Sequence, residues 1–211
     1  MASGTICLLA VALAVSAAGA ETSKEEWKVA KQRSGVTIYS RPHNGSKLKE
    51  FKAVGEIDAS SKTVHAVIDD VESYPDFMPY TAEARVLKRN PDSLITYQRI
   101  SPKIVSDRDY TLRIDKKSWP AEFGIAYLNE WEPANESGPA EKPGVFRVKV
   151  VSGSWLLEPV AADKTRATYF VFTDSGIVVP QFLANTISET GILKLFAAVR
   201  KQAKEPKYQT Q

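Results

Sequence analysis

The sequence predicts an α+β fold: a curved antiparallel β-sheet wrapped around one long C-terminal α-helix. Three observations carry this reading. From residue 82 to residue 173 the chain returns again and again to strand composition, broken by turn clusters such as Asn90-Pro91-Asp92-Ser93 and Glu136-Ser137-Gly138-Pro139. After Pro180, apolar residues recur in helical phase at Phe182, Leu183, Ile187, Leu193, Phe196 and Val199, ending near Lys204. Internal repeats and low-complexity tracts are absent from the sequence, so one domain accounts for its length. A long antiparallel meander must bury one of its faces, and the C-terminal helix is the element available to fill the curl.

The elements follow in order. Residues 1–20 carry no charged side chain; Ile6 to Val15 form an apolar core, and Ala18-Gly19-Ala20 supplies the small residues that signal peptidase needs. That apolar stretch is shorter than the ~20 residues of a membrane span. A cleaved signal peptide is therefore expected at residues 1–20, with secretion, to a periplasm, after cleavage near Ala20. Residues 21–204 are then the folded domain and 205–211 a flexible tail. Ser23-x-x-Glu26 has capping-box spacing ahead of Trp27, Val29 and Ala30, which predicts a short opening helix stopped by Gly35. Residues 36–39 and 47–57 read as the two strands of a hairpin. Asp58-Ala59-Ser60-Ser61 starts a helix whose apolar face is Val64, Val67, Ile68 and Val71. Pro75 and Pro79 bend the chain after it. Strands are expected at 82–88, 93–100, 107–116, 123–131, 145–151, 154–158 and 166–173, before the long helix that Pro180 opens.

Composition excludes several functions. Net charge is +3, without basic runs interleaved with aromatics, so nucleic acid is not an expected partner. The one cysteine, Cys7, lies in the expected signal peptide, so no disulfide and no thiolate chemistry is expected in the mature chain. His43 and His65 are the two histidines. His43 sits in a turn, and His65 lies one position off the apolar stripe of its helix, with Asp69 four residues on. Metal-ligand spacing, nucleophile elbow and phosphate loop are all missing from the sequence, so neither a metal nor another cofactor nor a catalytic set is expected.

Strand alternation locates a more informative residue. Ser106, Arg108, Tyr110, Leu112 and Ile114 share one face of their strand, which puts Arg108 among apolar neighbours. A charge there is costly unless it has a partner or a purpose. Asp107, Asp109 and Glu83 are its candidate structural partners. Other stripes are Phe123, Ile125, Tyr127, Asn129 and Trp131; Phe146, Val148 and Val150; and Thr168, Phe170 and Phe172 against Tyr169 and Val171. Which face of these strands is internal stays open at the level of sequence. Gly191 interrupts the last helix, allowing either close packing on the sheet or a bend. Ile177, Val178 and Val179 form an apolar loop ahead of that helix, suited to transient contact with a membrane surface.

The order of elements and five motifs together resemble the START lipid-transfer family of the helix-grip superfamily. Trp27 with Gly35-Val36-Thr37-Ile38-Tyr39 is similar to its opening signature. Tyr74-Pro75-Asp76-Phe77-Met78-Pro79 is similar to its YP.WMP motif, with Phe77 in place of Trp. Ser106-Asp107-Arg108-Asp109-Tyr110, Gly153-Ser154-Trp155-Leu156-Leu157-Glu158-Pro159 and Gly176-x-x-x-Pro180 follow in the family's order. The resemblance implies a helix-grip fold with an internal hydrophobic cavity that binds, and transfers, a lipid or other hydrophobic small molecule such as a phospholipid, sterol or fatty acid. It implies that Arg108 meets a polar or anionic group of the ligand, and that Gln98 stands where the family places an acidic partner. Gln98, Tyr110, Leu112, Tyr127, Trp155, Phe170, Phe182, Leu183 and Ile187 are the further expected ligand contacts. Ile177, Val178, Val179 and Gly191 are the expected lid, and a monomer is the expected state. Because helix-grip relatives include cyclases and aromatases, the alternative is an enzyme acting on a hydrophobic substrate through Arg108, Tyr97, Tyr110 or Tyr127.

Overall fold

A computed structural model describes residues 26–43, 46, 48–102, 105–174 and 181–209, with the backbone alone for 181–184. Among the described residues, ten strands form one curved sheet ordered β1-β2-β3-β10-β9-β7-β6-β5-β4. These are β1 Lys28–Arg33, β2 Val36–Pro42, β3 Lys49–Ile57, β4 Thr81–Asn90, β5 Ser93–Ile100, β6 Arg108–Ala121, β7 Gly124–Pro133, β8 Phe146–Arg147, β9 Val150–Ala161 and β10 Lys164–Asp174. All neighbours in that order are antiparallel, and β8 pairs with β6 in parallel from outside it. The helices are α1 Ser61–Asp69, α2 Tyr74–Phe77, α3 Gln181–Gln202 and α4 Pro206–Gln209.

The opening helix expected from Ser23-x-x-Glu26 is not formed by residues 28–33, which make strand β1. Ser34 and Gly35 both have positive φ, 53° and 66°, and close a two-residue hairpin onto β2. Such a turn matches the twist of paired strands, so the ladder with β2 overrides local helix propensity. Gly35 is thus a hairpin residue rather than a helix stop. The expected strands 145–151 and 154–158 are also redrawn: a two-residue β8 is followed by one continuous β9 that runs through Gly153.

Helix α1 starts where the sequence says it should. The Ser60 hydroxyl accepts from the Thr63 amide at 3.1 Å, and Val64, Val67 and Ile68 turn inward. Helix α3 lies in the grip of the sheet, with Ile192, Phe196 and Val199 in the main core beside Val36, Ile38, Ala53, Trp155 and Leu157. Its C-terminal Arg200 donates to the carbonyls of Glu56, Ser34 and Gly35, at 2.9, 2.6 and 3.2 Å. One guanidinium therefore pins the helix to the β1–β2 turn. The segment read as a tail begins with α4, whose Tyr208 is 2% exposed and donates to Asp70 at 2.7 Å; residues 210 and 211 lie outside the described residues. A second core cluster, with Leu94, Leu112, Ile114, Val148 and Val151, sits under β4–β6.

Candidate functional site

The two core clusters do not merge. Residues of both line an internal cavity of about 330 Å³ between the sheet and α3. Strand alternation builds its wall. Arg108, Tyr110, Leu112 and Ile114 of β6 face it together, beside Leu94, Gln98 and Ile100 of β5. Across the fold, Asn129 and Trp131 of β7, Val151 and Trp155 of β9, and Tyr169, Val171 and Thr173 of β10 complete the sheet side. Ile68, Tyr74, Met78 and Leu195 close it from the helices. Gly153 shapes this wall by having no side chain: a Cβ there would lie 2.4 Å from Trp131 Cζ2. The indole therefore occupies the space that the glycine leaves.

Of the expected contacts, Arg108, Gln98, Tyr110, Leu112 and Trp155 come together on this wall. Phe170 does not; it lies on the outer face of β10, edge-on to Trp27 at 6.1 Å, while Tyr169 and Val171 face inward. The register explains the exchange, because Tyr169 is paired with Trp155 and shares its face. Tyr127 is also off the wall, stacked on His65 at 4.1 Å where α1 covers the sheet. Ile187 is on α3 but outside the lining, and Leu195 takes the position facing the cavity. The side chains of Phe182 and Leu183, and all of Ile177, Val178 and Val179, lie outside the described residues. Gly191 is in α3, and a Cβ there would meet nothing within 4 Å, so it is not a close-packing glycine. Tyr74 and Met78, from the Tyr74-to-Pro79 motif, and Asn129 and Trp131, from the β7 stripe, also line the wall, and motif or stripe membership alone does not mark them as contacts.

The electrostatics are simple. Arg108 is 8% exposed and donates to the Ser106 carbonyl and, at 3.0 Å, to the Ser106 hydroxyl. The acids that the sequence offers as its partners also serve other arginines, and hydrogen bonds from Ser101 and Arg99, with the nearby Arg108, hold the Asp107 carboxyl below its usual range. Asp107 and Glu83 receive Arg99, and Asp109 receives Arg147. Tyr110 donates to Gln98 Oε1 at 3.3 Å, and burial pushes its phenol up to about 12. Burial also raises Tyr74 and Tyr169, so the cavity phenols are neutral hydrogen-bonding groups at physiological pH. Groups of three or more metal-ligating side chains are absent among the described residues.

His65, behind the wall, has its pKa lowered, first by burial and further by Lys116, against the opposing pull of Asp69 and a hydrogen bond with Asn129. A base with a folded pKa below its unfolded value of about 6.5 opposes folding when protonated. Its neutral form is therefore fully compatible with the fold above about pH 6.5, and stability falls as pH drops below that value. His65→Gln is expected to flatten the fall in Tm between about pH 7 and pH 5; an unchanged slope in thermal scans would place the pH dependence elsewhere.

Comparison with known proteins agrees with this geometry. The family described as "Polyketide cyclase / dehydrase and lipid transport" matches residues 57–200. An uncharacterised protein of Pseudomonas aeruginosa is 29% identical over 96% of this chain and 98% of its own length. Mouse phosphatidylcholine transfer protein is 24% identical over 79% of this chain and 78% of its own. Among solved structures, a STAR-related lipid transfer protein of Xanthomonas axonopodis superposes with a TM-score of 0.74 and 27% identity, covering 85% of this chain and 99% of that one.

Proposed function

The chain belongs to the polyketide cyclase/dehydrase and lipid transport family and has its START-like helix-grip fold, and from that premise we propose that it binds one lipid or similar hydrophobic molecule in the cavity and carries it between membranes. The observation that carries this reading is the cavity itself: a largely apolar pocket with a buried guanidinium, Arg108, among aromatic and aliphatic walls. The apolar part of the ligand gains by leaving water, at ~25 cal/mol per Å² before ordering costs. Arg108 then meets the ligand's polar or anionic group, with Gln98 and Tyr110 as neutral hydrogen-bonding neighbours. The lipid-transfer relatives support this reading over the cyclase one. So does the chemistry of the wall, whose phenols titrate far above neutrality and supply no general base. In the same proposal the protein works as a secreted monomer, with residues 1–20 removed and the Ile177–Val179 loop touching the membrane during exchange.

Native mass spectrometry of the gently purified protein, followed by solvent extraction, tests the proposal. A stoichiometric lipid is expected. Arg108→Leu should weaken binding of ligands with an anionic group by about 10- to 100-fold, the worth of a hydrogen bond to a charged group, while sparing uncharged ones. A protein that carries no lipid and takes none from vesicles would overturn the reading.

A further inference from the structure

Three phenols line the cavity, and they differ in what their protons do. Tyr74 donates its proton to the Ile68 carbonyl at 2.5 Å, and Tyr110 donates to Gln98 Oε1 at 3.3 Å. The Tyr169 hydroxyl has no hydrogen-bond partner among the described residues, yet its oxygen is not sealed in and keeps accessible surface. Tyr169 lies on the inner face of β10, with its ring 4.7 Å from that of Trp155 and 5.8 Å from that of Trp131. All three rings line the same cavity, so the accessible hydroxyl opens onto it. Burial, with a smaller push from Tyr110, raises this phenol far above neutrality, so it carries its proton and can donate it. A phenylalanine would pack on the two indoles equally well and would leave no polar atom to satisfy.

The place of this donor narrows its counterpart. Tyr110 stands two residues from Arg108 on the same face of β6, about 7 Å along the strand, and its phenol is near enough to Tyr169 to act on it electrostatically. The wall therefore carries a guanidinium and, beyond it, a pair of phenols contributed by β6 and β10. An O–H that has spent its proton on no protein group calls for an acceptor. Water can supply one, but a ligand that displaces the water must bring an acceptor of its own or leave the donor unpaired. A methylene chain brings none. The carbonyl of an ester does, and in an acyl lipid it stands a few atoms from the anionic group, the order in which Tyr169 follows Arg108.

Resting on the lipid-binding reading, we propose that Tyr169 is a specificity-determining residue whose hydroxyl donates to an ester carbonyl of the ligand, selecting acyl lipids over their ether-linked counterparts. The anionic group of the same ligand lies toward Arg108 and its chain against the indoles and aliphatic wall. A site built to hydrogen-bond one group of its ligand discriminates against the analogue lacking that group, because the protein's own polar atom is then left unpaired.

Two pairs of probes test this, each pair matched in chain length and phosphate head group: acyl against alkyl lysophosphatidic acid, and diacyl against dialkyl phosphatidic acid. Within a pair only the ester carbonyls differ. By displacement of a fluorescent fatty acid, the native protein should bind the acyl member of at least one pair about 5- to 10-fold more tightly than its ether, the worth of one neutral hydrogen bond. In Tyr169→Phe, which removes the hydroxyl and keeps the ring, that ratio should collapse to about one, with the ether bound at least as well as before. A merely structural tyrosine would weaken both members together and leave the ratio standing. A ratio near one for both pairs in the native protein, or an undiminished ratio in Tyr169→Phe, overturns the proposal while leaving lipid binding intact. So does a native protein that takes some other lipid from vesicles but none of the four probes. A native protein that binds no probe and no vesicle lipid overturns the underlying reading and this inference with it. The native-protein ratio needs no variant, so a poorly folding Tyr169→Phe does not protect the idea.

Discussion

Replacing Asp109 with alanine is expected to destabilise the protein by about 3–5 kcal/mol, the usual effect of removing one partner from a buried ion pair. For a chain of this size that is a fall in Tm of roughly 6–20 °C. Asp109 is 1% exposed and accepts from Arg147 Nε and Nη2 at 2.7 and 3.0 Å. The Tyr97 hydroxyl donates to it at 3.1 Å, and burial together with the carboxylate pushes that phenol up to about 12. Arg147 also donates to the Pro139 carbonyl at 3.0 Å, so the pair ties the segment after β7 onto the outer face of β6. Asn135 adds two bonds to the same join, accepting from the Thr111 amide and donating to the Val148 carbonyl. Without Asp109, the buried guanidinium of Arg147 loses its counter-charge. The double variant Asp109→Leu/Arg147→Met, which leaves no buried charge, should recover most of the loss. Urea denaturation of both variants checks this; a loss below about 1 kcal/mol in Asp109→Ala would show that the pair is dispensable.

Phe196→Ala is the second large effect, at about 3–5 kcal/mol. Its ring is fully buried at the contact between α3 and the sheet, with its centroid 5.3 Å from that of Trp155. Gly55 lets it in: a Cβ on that glycine would lie 3.0 Å from Phe196 Cε1, tighter than ordinary van der Waals contact. The truncated side chain would leave a void that the stiff strands β3 and β9 cannot close, and incomplete collapse is what makes such substitutions costly. Because Trp155 also lines the cavity, faster loss of the proposed lipid ligand should accompany the lower denaturation midpoint. A midpoint within error of the native protein would mean that the helix is held chiefly by Arg200 and its carbonyl partners.

Much of this was visible in the residues because it depends on period alone. A period of two put Arg108, Tyr110, Leu112 and Ile114 on one face, and that face is the cavity wall. A helical period marked Phe196 and Val199, and both are in the core. Ser60 announced its own cap. Where both faces of a strand are apolar, period is silent about which face is inside. Phe170 and Tyr169 are the example: alternation separates them, but only the pairing of Tyr169 with Trp155, and the presence of Trp27 over the other face, decides between them. The opening segment shows a different limit. Its capping-box spacing is a local signal, and residues 28–33 had a better option in the ladder with β2.

By itself, then, the sequence determined most elements between residue 36 and the long helix, the inward face of β6 and, through motifs spread along the chain, the family. These depend on neighbours a few residues apart. The tertiary structure decided the arginine partners of Asp107 and Asp109, and which tyrosines see the cavity. Each of those outcomes is a competition among side chains from several strands, settled by register and burial, and neither is written in the spacing of one segment.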